Sequence, residues 1–190
     1  LGVNDTIGLG RGYAFQIVTS MLGSRPKANL QFYNRGISGN KVFQLADRWD
    51  KDCLDLKPDV LSILLGVHDF WHSLRDYDGT VEVYDADFRK LLDRTLKALP
   101  NVKLIIGEPF AVKGGRAIND KWFPDFPEYQ KSAAAIAKDY KAQYIPFQKI
   151  FDDALKVAPV SYWCPDGVHP SMAGAYLMKE AWLKAFNQLF

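Results

Sequence analysis

The amino-acid sequence predicts a single α/β domain, a parallel sheet flanked on both faces by helices, and three observations predict it. Apolar residues recur at spacings of three and four in Ala14-Phe15-Val18-Leu22, Val42-Leu45-Ala46-Trp49, Phe88-Leu91-Leu92-Leu96 and the C-terminal stretch to Phe190, the period of amphipathic helices. Short β-prone runs lie between them, at residues 30–33, 60–65, 102–106 and, more weakly, 144–146. Helices and strands therefore alternate, and such alternation implies parallel strands, because each crossover has to carry the chain back along the sheet.

A chain of 190 residues is long enough for one core. The run at residues 60–65 is almost continuously apolar, as expected of a strand covered on both faces. In such sheets ligands bind beyond the carboxyl ends of the strands, so the residues just after each run are the ones to inspect. These are Asn34-Arg35-Gly36-Ile37-Ser38-Gly39-Asn40, Gly66-Val67-His68-Asp69, Gly107-Glu108-Pro109-Phe110 and, after the last strand and its short helix, Asp166-Gly167-Val168-His169-Pro170. Residues 114–127, with Trp122, Phe123 and Phe126, are expected to form a long functional loop or lid, since loops of that length are uncommon without a role.

Charge and composition exclude several function classes. The formal charge is +2 with acids and bases interleaved, so no broad basic face for nucleic acid is expected. No apolar run reaches the length of a membrane span. Residues 1–10 show neither the basic start nor the apolar stretch of a secretory signal; the compartment stays open, and export fits if an upstream signal has been removed. Cys53 and Cys164 are expected to be free thiols.

Asp166 and His169 lie three apart, ahead of Pro170 and Ser171, which read as the start of the final helix. An aspartate there can accept a hydrogen bond from one imidazole nitrogen, leaving the other free to take a proton from a hydroxyl nucleophile. Gly36 follows a strand and can offer a bare backbone N–H to an oxyanion. His68 follows the most apolar strand and can supply a side-chain donor to the same crevice. Taken one at a time, each of these residues has an ordinary structural explanation; their joint order and spacing favour chemistry.

Together the three blocks resemble the SGNH (GDSL-like) hydrolases, a family named for Ser, Gly, Asn and His in four separated blocks, over Gly10 to Phe190. The resemblance implies a three-layer, flavodoxin-like fold and a serine ester hydrolase that needs no metal or organic cofactor. It implies Asp166 and His169 as acid and base and Gly36 and His68 as oxyanion donors. It also suggests a carbohydrate acetyl esterase acting on a small-molecule or glycan ester, with Trp71, Trp122 and Trp163 as a sugar-facing rim.

Two departures matter. His68 stands where the family has asparagine, and a histidine can become charged, which would make activity pH-sensitive. No Gly-Asp-Ser, the family's first block, occurs in the 190 residues. Asp5-Thr6-Ile7 has too few residues before it to end a central strand. Ser38 lacks the Gly-x-Ser-x-Gly spacing of a nucleophile elbow. The expectation is that a segment upstream of Leu1 carries the missing strand and serine, and that residues 30–33 and residues 60–65 are separated either by a gap about one strand wide or by an upstream segment or second chain that fills it. The rival expectation is a binding module on the same scaffold that has lost its nucleophile. Oligomeric state is not legible.

Overall fold

The computed structural model describes residues 8–190. In chain order it contains α1 (Tyr13–Ser24), α2 (Val42–Ala46), α3 (Trp49–Asp52), β1 (Val60–Leu64), α4 (Val67–Ser73), α5 (Val81–Ala98), β2 (Lys103–Gly107), α6 (Phe126–Asp139), β3 (Gln143–Ile145), α7 (Phe147–Ala154), α8 (Val160–Trp163) and α9 (Met172–Asn187). The strands form a parallel sheet in the order β1-β2-β3.

The sheet separates two packed layers because its side chains alternate. Leu104 and Ile106 of β2 face a core built with Phe88, Leu91 and Leu92 of α5 and Ile136 of α6. Ile105, between them, faces a second core with Ile17 and Met21 of α1, Phe147 and Phe151 of α7, and Met178 and Trp182 of α9. Fully burying one such side chain contributes roughly 1.5–3 kcal/mol, so both helical layers are held to the sheet by apolar area. Cys53 and Cys164 are buried, unpaired, and lie in opposite layers.

Two expectations are corrected. Residues 30–33 do not form a strand: they keep strand-like alternation, with Leu30 and Phe32 half-buried and Gln31 and Tyr33 exposed, but among the described residues they join no ladder. The reason lies next to them. Between residues 28–40 and β1 runs a cleft of about 1450 Å³ lined by both segments, so neither backbone reaches the other. For the same reason the apolar run that becomes β1 is less covered than expected: Ile63 alone is buried, the neighbouring positions are half-buried, and Ser62 is exposed, with its hydroxyl accepting the Trp182 indole N–H at 2.9 Å. Asp5-Thr6-Ile7 lies outside the described residues.

Candidate active site

The site is assembled at the carboxyl end of β1 and along the mouth of the cleft. After β1 the chain turns at Gly66, whose φ of 116° suits a residue without Cβ; a Cβ there would meet Pro109 at 3.0 Å. The turn starts α4 at once and places His68 on the cleft wall. Gly36 and His169 line the same cleft, so three of the four residues expected to carry chemistry converge on one space. The fourth, Asp166, stands directly behind His169.

Asp166 is held by three bonds. Its Oδ1 accepts the Val168 and His169 N–H groups at 2.9 and 2.7 Å, and its Oδ2 accepts His169 Nδ1–H at 2.7 Å. Burial pushes the carboxyl up, but these bonds outweigh it and leave Asp166 below the ordinary carboxylate range. An ionised carboxylate bonded to Nδ1 fixes the hydrogen there and leaves Nε2 as the basic nitrogen. The His169 side chain is 60% exposed, so that nitrogen is accessible from the cleft. Ser171 closes the segment as the N-cap of α9, its hydroxyl accepting Gly174 N–H at 3.2 Å.

The long loop expected at residues 114–127 is broken by a 3-10 turn at Asp120–Trp122 and ends in α6, and its first part, with Val112 before it, buttresses this turn. Val112 N–H donates to Gly167 O at 2.8 Å, Arg116 N–H to Pro165 O at 3.2 Å and Ala117 N–H to Asp166 O at 2.9 Å. These contacts use backbone atoms, which sequence reasoning has no means of pairing. Trp122, expected at the substrate, is corrected: it is 1% exposed and packed among Phe70, Trp71 and Phe126, so it has no face to offer a ligand. Trp163 is half-buried, donates its indole N–H to Ala154 O at 2.9 Å and accepts Ser171 N–H on its carbonyl, which makes it a brace for α9. Trp71 alone of the three touches a site residue, stacking on the His68 ring at 5.9 Å between centroids.

The Gly36 loop is anchored by residues that carry no motif. Arg48 donates to Arg35 O at 2.8 Å and to Asn40 Oδ1 at 3.1 and 3.2 Å, and pairs with Asp52, tying both sides of Gly36 to α3. Asp69 Oδ1 accepts Val42 N–H at 3.1 Å and so ties the far end of the loop to α4. Gly36 N–H itself donates to Asn34 Oδ1 at 3.1 Å. An oxyanion would replace a neutral amide oxygen there, and a charged acceptor makes the stronger bond. Ser38 lies in an exposed turn, and among the described residues no hydrogen bond joins it to His169.

The GDSL-like lipase/acylhydrolase family matches residues 2–177. The chain belongs to that family. The acetylxylan esterase of Geobacillus stearothermophilus is 30% identical over 182 residues, spanning 93% of this chain and 81% of the relative. A crystal structure from Parabacteroides merdae, described as that of a GDSL-like lipase, superposes with a TM-score of 0.93 at 46% identity, covering 96% of this chain and 85% of the other. The acetylxylan esterase structure superposes with a TM-score of 0.81 at 28% identity, covering 94% and 82%. Two further crystal forms of that esterase are catalytic mutants in which an aspartate and a serine are replaced by alanine. The family's three-layer, flavodoxin-like α/β fold with a parallel sheet is thus the fold of this chain.

Proposed function

We propose that this GDSL-like acylhydrolase is a serine esterase that removes a small acyl group from a carbohydrate ester, acetate being the favoured group. The observation that carries the reading is the Asp166–His169 pair, bonded at 2.7 Å with its ring at the cleft that Gly36 and His68 also line. His169 Nε2 takes the proton of a serine hydroxyl as that oxygen attacks the ester carbonyl, and returns it to the leaving alcohol. Asp166 orients the ring and stabilises the imidazolium. Gly36 N–H and His68 donate to the oxyanion.

A serine hydroxyl within reach of His169 Nε2 would sit in the cleft between residues 28–40 and β1. Support comes from the cleft's position along an open strand edge, and from the serine and aspartate replaced in the relative's catalytic mutants. The test is hydrolysis of p-nitrophenyl acetate and acetylated xylo-oligosaccharides by the natural full-length protein and by His169→Ala. Turnover that is lost in the variant supports the reading; equal turnover in both overturns it.

One observation favours a second reading, a carbohydrate-binding module without turnover: none of the 190 residues forms a Gly-Asp-Ser. Binding of the same oligosaccharides in calorimetry, with no acetate released by the natural full-length protein, would establish it.

A further inference from the structure

His68 stands on α4 with a basic cluster behind it. Lys41 is 8% exposed, although a lysine is seldom so buried. Its Nζ lies 3.0 Å from His72 Nδ1 and over the rings of Phe43 and Tyr77, at 5.5 and 5.1 Å from their centroids. An ammonium has hydrogens to give and no lone pair, so His72 accepts on Nδ1 and is itself uncharged. One helical turn away, four residues earlier, the His68 ring meets His72 edge to face at 5.5 Å and stacks on Trp71. His68 Nδ1 is buried with no partner among the described residues. That leaves Nε2 as the ring nitrogen able to face the cleft.

We propose that Lys41, acting through His72, is a positioning residue that keeps the His68 imidazole uncharged with its hydrogen on Nε2, aimed at the oxyanion. The inference rests on His68 as the oxyanion donor and names what makes a histidine serviceable there. A hydrogen on Nδ1 would be a buried donor without an acceptor, which costs more than leaving a lone pair unused. A second proton would add a charge to the ring that meets His72, whose Nδ1 holds the Lys41 ammonium. Burial first, and then charge on the groups facing the ring, His72 on the same helix, His169 from the loop before α9 and Lys41 from the loop before α2, hold His68 below the ordinary histidine range; with His72 uncharged, the Lys41 ammonium rather than His72 supplies the repulsion on that side. Asp69, next along α4, turns one carboxylate oxygen to Val42 N–H, and burial pushes its own carboxyl up to about 6.

The chain has three histidines, so side-chain ¹⁵N–¹H correlation spectra of ¹⁵N-histidine-labelled protein can be assigned by single replacements and read tautomer and titration directly. The expected wild-type result is an uncharged His68 ring with its hydrogen on Nε2, titrating below the ordinary histidine range. Lys41→Gln, which keeps a donor for His72 and removes the charge, should move the His68 titration upward; Lys41→Arg should restore it. A His68 ring that carries its hydrogen on Nδ1, or that titrates at or above the ordinary histidine range in the wild type, overturns the proposal without any variant. An unmoved titration in folded Lys41→Gln overturns it as well. Because the readout needs no turnover, it succeeds or fails separately from the esterase reading.

Discussion

Gly115 and Gly167 stand back to back, so close that a Cβ on Gly115 would fall 2.3 Å from Gly167 Cα. Gly167 has a φ of 92° and lies between Asp166 and His169. The contact therefore presses the segment after Val112 against the turn that holds Asp166 and His169. Gly115→Ala should push that turn away. We expect a loss of about 1–3 kcal/mol in urea denaturation, the usual cost of overpacking, together with a fall in turnover larger than the stability change explains at temperatures where the protein stays folded.

His169→Ala in the natural full-length protein should lower kcat by about 10³-fold or more, and Asp166→Asn should lower it by a comparable factor through the wrong tautomer. Single-turnover rates on p-nitrophenyl acetate check both. Near-normal turnover in either variant would remove that residue from the mechanism.

Arg48 touches no substrate in this reading, yet it clamps Arg35 O and Asn40 Oδ1 on either side of Gly36. Arg48→Met should loosen the oxyanion N–H and reduce kcat about 10–100-fold, the scale of small misplacements of catalytic groups. KM should change little, because ground-state binding does not depend on that donor. A rise in KM with kcat unchanged would assign Arg48 to substrate binding instead.

His68→Asn should retain or raise turnover near pH 7, while His68→Ala should lose about 10²–10³-fold as an oxyanion donor disappears. The pH-sensitivity expected of a histidine at this position is displaced toward acid, since burial and the neighbouring His72, His169 and Lys41 depress its titration. The wild-type and His68→Asn profiles should therefore diverge on the acid limb, where the asparagine variant is the flatter. Loss of activity in His68→Asn but not in His68→Ala would exclude His68 as a donor.

Asp69 is 2% exposed, and burial pushes its carboxyl up to about 6 from the 3.8 of a free aspartate. Between those two values the folded protein keeps a proton that the unfolded chain has lost. Its contribution to stability is therefore full below about pH 4 and falls as pH rises toward 6, by roughly 3 kcal/mol in all. Asp69→Asn keeps an oxygen for Val42 N–H and has no proton to lose. Urea denaturation at pH 4.5 and pH 7 should show a smaller decline in that variant than in the wild type; parallel declines would show that Asp69 does not titrate in this window.

The sequence by itself determined the alternation of strands and helices, the parallel sheet, and the Asp166–His169 pair with Gly36 and His68 as candidates. These features are local: helical and strand periods show in single segments, and Asp166 reaches His169 across two residues. Tertiary structure decided the rest. Residues 30–33 have the composition of a strand, but a ladder needs a partner within reach, and the cleft removes it. Trp122 and Trp163 are aromatic in any reading; which side faces a core is settled by contacts with Phe70, Phe126 and Ala154. Lys41, Arg48 and Gly115 carry no motif at all. Their parts come from single bonds and contacts across the fold, with His72, Asn40 and Gly167, and such pairings exist only once packing has set the distances.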